Sequence, residues 1–286
     1  MAFRREYVVP LSDGRQLALG ERTLVVGILN VTPDSFAEIG ARLDPARAVD
    51  DALRLQEDGA DIVEIGGEST RPGAEPVPAA DEWARIGPVL EHLRGQIRVP
   101  VAVDTYKAEV AGRALAAGAT IVNDVSGLRY DPTLAEVVAR AGAALVLMHT
   151  RGRSRDMYRE AHYDAVVPEV ARELRESVDR AVAAGVSADR LIVDPGLGFA
   201  KRPAHSYEVL AELPGIAALG RPVLVGPSRK AFLCAAIGER TPGDRDRATA
   251  AVVTAAILAG AHLVRVHAVR EMMDAVRVAD ELRRHA

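Results

Sequence analysis

Gly59-Ala60-Asp61-Ile62-Val63 carries a pattern that returns as Gly118-Ala119-Thr120-Ile121-Val122, Gly142-Ala143-Ala144-Leu145-Val146 and Gly260-Ala261-His262-Leu263-Val264. Each glycine follows a segment of helical periodicity, where a chain leaving a helix commonly takes a positive φ. Each aliphatic run after it reads as a short buried strand. The pattern is an α-to-β joint, and its repetition means that helices and strands alternate. Asp44 reads as the N-cap and Pro45 as the first residue of the helix that Gly59 ends. Trp83, Ile86, Leu90 and Leu93 give the next helix an apolar stripe, and Pro88 should kink that helix or mark its start.

Extending the pattern outward gives eight strand candidates, at 24–30, 61–66, 101–104, 120–124, 144–149, 191–194, 222–226 and 262–267. Before the first lies 7–22, where Ser12-Asp13-Gly14 reads as a hairpin turn. Eight βα units in 286 residues predict an α/β protein, a (β/α)8 TIM barrel whose N-terminal β-hairpin plugs the bottom. A doubly wound sheet is the competing architecture. No Pro/Gly/Ser-rich linker divides the chain, so residues 1–286 are read as one domain.

Composition narrows the function. Hydrophobic residues make up 49% and aromatics only 4%, so the core is built from Ala, Val, Leu and Ile. The net charge of -4, without a Lys/Arg block, excludes a nucleic-acid surface of the ordinary basic kind. No run is long and apolar enough to span a bilayer, and the first residues lack a signal-peptide core, so a cytoplasmic enzyme is expected. Cys234, the single cysteine, lies in an apolar stretch and reads as a buried packing residue.

Polar residues concentrate where strands end, which in a barrel is where the chemistry sits. The strands run into Asn30, Gly66-Gly67-Glu68-Ser69-Thr70-Arg71-Pro72, Asp104, Asn123-Asp124, His149, Asp194 and Ser228-Arg229-Lys230, and the last carries Arg265 and His267. A charge at the mouth of a buried strand is costly unless it is paired or solvated. One such residue is explained by an ion pair; eight strand ends point to one polar cavity. Arg265 and His267 are two apart and face the same way. With Lys230 and Arg71 they suit a phosphate or diphosphate. Asp104, Asn123 and Asp194 suit a flat ring with N–H donors, since a carboxylate can pair with a 2-amino-pyrimidinone edge. There is no Walker loop, no histidine spacing for a metal and no nucleophile elbow.

Gly27-Ile28-Leu29-Asn30-Val31-Thr32-Pro33-Asp34-Ser35-Phe36 and Gly66-Gly67-Glu68-Ser69-Thr70-Arg71-Pro72-Gly73 resemble the first two motifs of the dihydropteroate synthases. Val103-Asp104-Thr105-Tyr106-Lys107, Val122-Asn123-Asp124-Val125-Ser126-Gly127, Leu147-Met148-His149, the segment from Asp194 to Lys201, Ser228-Arg229-Lys230 and Arg265-Val266-His267 follow in the family's order. The resemblance implies condensation of a dihydropterin hydroxymethyl diphosphate with p-aminobenzoate, with Mg2+ assisting departure of diphosphate, by a homodimer. It implies that Asp104, Asn123, Asp194 and Lys230 hold the pterin, that Met148 and Val125 pack on it and that Arg265 stacks on it. It places Asn30 by the diphosphate and Mg2+, Arg71, Arg265 and His267 as anion contacts, and Thr70, Pro72, Phe199 and Lys230 around p-aminobenzoate. The p-aminobenzoate carboxylate is expected at the N-terminus of the helix after Lys230.

Four places depart from the family pattern: Ala231 replaces a serine, Ala200 and Arg202 replace Gly and Thr, 36–40 differs from a Ser-Asp-Gly-Gly type, and Ala268 replaces an Asp. The rival readings are a pterin-binding paralogue of altered or no activity and a methyltetrahydrofolate methyltransferase that serves a corrinoid. Ser228-Arg229-Lys230 and Gly67-Glu68-Ser69-Thr70-Arg71 argue against the latter. Ala248, Ala251, Ala255 and Ala259 form a small-residue stripe that is expected to pack on the barrel.

Overall fold

A computed structural model describes residues 4–32 and 44–285. Tyr7–Pro10 (β1) and Gln16–Leu19 (β2) form the antiparallel hairpin. Eight parallel strands follow: Leu24–Asn30 (β3), Ile62–Gly66 (β4), Val101–Asp104 (β5), Ile121–Asp124 (β6), Ala144–Met148 (β7), Leu191–Asp194 (β8), Leu224–Val225 (β9) and Leu263–Val266 (β10). They pair in the order β8-β7-β6-β5-β4-β3-β10-β9. The Val193–Val223 bridge, with the Val193 N–H donating to the Pro222 carbonyl at 3.0 Å, joins β8 to β9 and closes the ring. A barrel is the observed architecture; a doubly wound sheet would leave two open edges.

The helices lie outside. They are Pro45–Glu57 (α1), Ala79–Leu93 (α2), Ala108–Ala116 (α3), Leu134–Ala141 (α4), Val166–Ala183 (α5), Pro203–Ala211 (α6), Leu213–Ala217 (α7), Cys234–Ile237 (α8), Asp246–Leu258 (α9) and Val269–Arg284 (α10). The Asp44 carboxylate caps α1 by accepting the Ala46 N–H at 3.0 Å. The four joint glycines, Gly59, Gly118, Gly142 and Gly260, all have positive φ. Helix α2 runs through Pro88 rather than starting there.

Period-two alternation sorts the strand residues into two apolar layers. Val25, Val63, Val103, Val122, Leu145, Val193, Val225 and Val264 point outward and meet the helices. Val26, Ile62, Ala102, Ile121, Val146, Ile192, Leu224 and Leu263 point inward, and Val9, Leu11, Leu17 and Leu19 of the hairpin join them. The hairpin therefore seals the bottom of the barrel, as expected. Arg4 fastens this end: it pairs with Asp280 of α10 at 3.1 Å and donates to the Ala261 carbonyl at 3.0 Å.

Two expectations are corrected. Ala251 and Ala255 are exposed rather than packed on the barrel, and Ala248 and Ala259 are half-buried. Cys234 is likewise half-buried at the start of α8. Among the described residues no helix is long and apolar enough to cross a membrane.

Candidate active site

The barrel's top layer continues the inward register. Glu64 on β4, Asp104 on β5, Asn123 on β6, Met148 on β7, Asp194 on β8 and Arg265 on β10 each stand two residues beyond an inward apolar residue. This places them in one polar layer above the core. The Arg265 Nε donates to Glu64 Oε1 at 2.5 Å, and its Nη2 donates to Asp104 Oδ2 at 2.9 Å. Glu64 Oε2 accepts from Asn123 Nδ2 at 2.9 Å. The amide of Asn123 is thereby oriented, and its Oδ1 is buried with no partner among the described residues. A buried acceptor without a protein donor is costly and is the expected signature of a ligand-facing group.

Charges in this layer are displaced from their ordinary behaviour. Burial, then repulsion from Glu64, pushes the Asp104 carboxyl up to about 8, against the opposing pull of Arg265. Burial also raises Asp194, although Lys230 and the Gly196 N–H, which donates to Oδ1 at 2.7 Å, oppose it. Burial lowers Lys230 to about 8, with Asp194 opposing. The Lys230 Nζ donates to the Leu197 carbonyl at 2.6 Å and lies 4.4 Å from the centre of the Phe199 ring. The Asp194 Oδ2 side faces Gly226, where a Cβ would come within 3.8 Å of it.

Asn30 and His267 lie on the other side of Arg265. Asn30 Nδ2 is 3.4 Å from His267 Nε2, and Ser228 Oγ is 2.9 Å from His267 Nδ1. Burial, with the Arg265 charge second, lowers His267 to about 3, so it is neutral at pH 7. The Arg71 cation contributes to the same lowering, which places it within electrostatic reach. Thr70 is half-buried, Arg71 and Pro72 are exposed, and all three lie on the loop after β4. The side chains of Thr70 and Pro72 make no hydrogen bond or ion pair among the described residues. Val125 is buried just after β6.

Two strand-end residues leave the ring. Asp124 points away from Asn123 and accepts from the N–H groups of Ser126 at 2.8 Å and Leu128 at 2.6 Å, so it builds a turn. His149 turns beneath the mouth toward Lys201 and Glu173. The segment after Lys230 is a 3-10 turn, Ala231–Leu233, followed by the four residues of α8, so the anion-binding helix expected there is only a turn. Residues 33–43, including Pro33-Asp34-Ser35-Phe36 and the departure at 36–40, lie outside the described residues. A cleft of about 410 Å³ lined by His162, Tyr163, Asp164, Glu169, Arg202 and His205 lies to one side of this layer. We take the inward layer as the site because the buried, ligand-facing groups are there.

The family model described as pterin binding enzyme matches residues 26–267. A dihydropteroate synthase of Mycobacterium leprae is 48% identical over 260 residues, covering 89% of this chain and 91% of that one. The chain belongs to the dihydropteroate synthases. The Bacillus subtilis member of this family is 44% identical over 237 residues, 83% of this chain and 80% of that one. The Xanthomonas albilineans dihydropteroate synthase solved with 4-aminobenzoic acid has a TM-score of 0.89 at 43% identity, covering 96% of this chain and 98% of that one. The Yersinia pestis enzyme in a sulfonamide complex has a TM-score of 0.91 at 36% identity, covering 98% of this chain and all of that one (100%). The residues that carried the family resemblance in the described part of the chain are thus set on the fold of that family. Glu64, Lys201 and Glu173 are among the charged groups of this end that motif reading left without a role.

Proposed function

We propose that the chain condenses 6-hydroxymethyl-7,8-dihydropterin diphosphate with p-aminobenzoate to give 7,8-dihydropteroate and diphosphate. The observation that carries this is the inward layer, in which the unpartnered Asn123 Oδ1 and the buried carboxyls of Asp104 and Asp194 converge. These acceptors match the amino and ring N–H donors of a pterin. Lys230 supplies the donor for its carbonyl edge, while Met148 and Val125 bound its faces.

Arg265 is fixed in plane by the Glu64 and Asp104 carboxyl groups, which suits stacking along the ring and leaves Nη1 for the anionic tail. His267 with Arg71 completes the anion side. A neutral His267 can donate one hydrogen bond to a phosphate oxygen and gain proton affinity as negative charge approaches. Among the described residues no group of three or more His, Cys, Asp or Glu could hold a metal ion. That fits Mg2+, which keeps few protein ligands and arrives on phosphate oxygens. Asn30 would be its one described ligand, and the ion supplies neutralisation of the leaving diphosphate when bound.

No protein nucleophile is required. The layer holds the methylene in line with the aniline nitrogen, and Lys230, Phe199, Thr70 and Pro72 frame that nitrogen's approach. Cytoplasmic location and a homodimer are part of the proposal. Ala251 and Ala255 are exposed on α9, Val278 and Leu282 are exposed on α10, and Arg283 of α10 donates to the Ile257 carbonyl of α9. A coupled assay with the pterin diphosphate, p-aminobenzoate and Mg2+ tests the activity. Mg2+-dependent dihydropteroate is expected; retained pterin binding without product would overturn it.

A further inference from the structure

Lys201 is 1% exposed, and among the described residues its hydrogen-bond partners are an imidazole and a carbonyl, not a carboxylate. Its Nζ lies 2.8 Å from His149 Nδ1 and donates to the Phe199 carbonyl at 3.1 Å. On the far side of the imidazole, His149 Nε2 is 3.1 Å from Glu173 Oε2. Glu173 is in turn held by Arg129 at 2.7 Å and by Arg151 at 3.0 Å. These contacts hold the Glu173 carboxyl well below the ordinary range although burial opposes them, so it is a carboxylate and can only accept. His149 must then carry its proton on Nε2 and turn a lone pair on Nδ1 toward Lys201. The hydrogen bonds run in one direction, from Lys201 through His149 to Glu173, and the Lys201 amine, whose proton affinity burial lowers, also donates to the Phe199 carbonyl.

The segment that Lys201 grips is held elsewhere in the same manner. Lys230 holds the Leu197 carbonyl at 2.6 Å, and the Tyr163 hydroxyl holds the Ala200 carbonyl at 3.0 Å. The Ser206 hydroxyl accepts the Gly198 N–H at 3.1 Å. At Gly196, with φ of 67°, a Cβ would stand 2.0 Å from the His149 carbonyl oxygen, so the loop also rests directly on the residue that orients Lys201. Three carbonyls within four residues are thus set by side chains from three separate places. The Phe199 ring lies under the Lys230 ammonium, and the Phe199 carbonyl and the Lys230 Nζ are both tied into this lattice.

We propose that Lys201, oriented by His149 and Glu173, is a positioning residue for the second substrate, holding the Phe199 wall and the Lys230 ammonium at the separation that p-aminobenzoate needs. A methionine would fill the same buried volume without the penalty of burying an amine. What it would lose is the directed hydrogen bond to the Phe199 carbonyl. The proposal rests on the synthase reading above.

The test measures KM for both substrates, pterin binding by calorimetry and thermal unfolding, for the wild type, Lys201→Met and Glu173→Gln. Lys201→Met should raise KM for p-aminobenzoate by about tenfold or more, as displacement of a positioning wall does. Its KM and dissociation constant for the pterin should stay within about twofold. Glu173→Gln, which leaves the loop untouched and keeps the proposal testable if Lys201→Met does not fold, should show the same split at smaller amplitude. Equal KM values in wild type and variants would overturn the proposal, and so would a parallel loss for both substrates. Absence of wild-type turnover would instead overturn the synthase reading on which it stands.

Discussion

Glu64→Gln isolates what an inward mid-strand carboxylate does. In the wild type, Glu64 accepts from Arg265 on one oxygen and from Asn123 on the other. An amide of the same shape has one acceptor and one donor group, so it can satisfy only one of those partners as they stand. The inexpensive relief is rotation of the Asn123 amide, which then turns Nδ2 rather than Oδ1 toward the pocket. A ligand N–H would meet a donor, and an unmet buried donor costs about 1–3 kcal/mol. That corresponds to roughly a 5- to 150-fold loss of pterin affinity. A second consequence concerns protons. Asp104 stands near 8 partly because Glu64 repels its charge, so removal of that charge lowers it. In the wild type the folded chain keeps a proton on Asp104 between about pH 4 and pH 8 that the unfolded chain has lost. Stability therefore falls as pH rises through that window, and in Glu64→Gln the fall should end at a lower pH. Calorimetric titration with a pterin across pH 6 to about 9, beside thermal unfolding over the same range, reads both effects. Pterin affinity within about twofold of wild type and an unshifted pH profile would refute the assigned role of Glu64.

Asp194→Asn should lose at least about tenfold in pterin affinity while unfolding at nearly the wild-type temperature, because it replaces a charged acceptor facing the pocket; unchanged affinity by calorimetry would remove the carboxylate from the pterin edge. Ala231→Ser adds a hydroxyl beside Lys230 and should tighten p-aminobenzoate or sulfonamide by up to about tenfold; equal dissociation constants would show that this position does not meet the carboxylate. Ala268→Asp should stabilise the fold by about 1 kcal/mol, since Ala268 is the N-cap of α10 and offers no side-chain acceptor. Ala200→Gly should stabilise by roughly 0.5–1 kcal/mol, because Ala200 has φ of 47°. Denaturant melts of these two variants that show no gain would mean that the surroundings have absorbed both costs.

Those last two variants explain much of how this chain departs from its family. Ala268 and Arg202 both occupy N-cap positions, and the Arg202 N–H is met by His205 Nδ1 at 3.3 Å. Ala200 occupies a left-handed position. Ala268, Arg202 and Ala200 are therefore local costs of helix capping and backbone conformation. None alters a group in the inward layer. Ala231 follows Lys230, as Ala200 follows Phe199 and Ala268 follows His267; it is the departure that lacks a hydroxyl expected toward the second substrate's carboxylate.

The barrel was legible because its signals are local. A glycine after each helix and an aliphatic run after each glycine need no tertiary knowledge, and the strand candidates coincide with β3 to β10 to within a few residues. The inward layer was legible only at its ends. Asp104, Asn123 and Asp194 terminate their strands, whereas Glu64 sits inside one, flanked by Val63 and Ile65, and passes for a single polar interruption. Parity would have found it: Glu64 is two residues before Gly66, and Gly66 pairs in register with Asp104. Parity also separates Asn123 from Asp124, which the position of a polar residue at a strand end cannot do. His149 and Lys201 were harder still. They lie in separate motifs, 52 residues apart, and they meet only because β7 and β8 are neighbours and the loop after β8 folds back over the end of β7. Motif order reports that such residues belong to the family. Only the closed ring decides which of them face the ligand and which hold the residues that do.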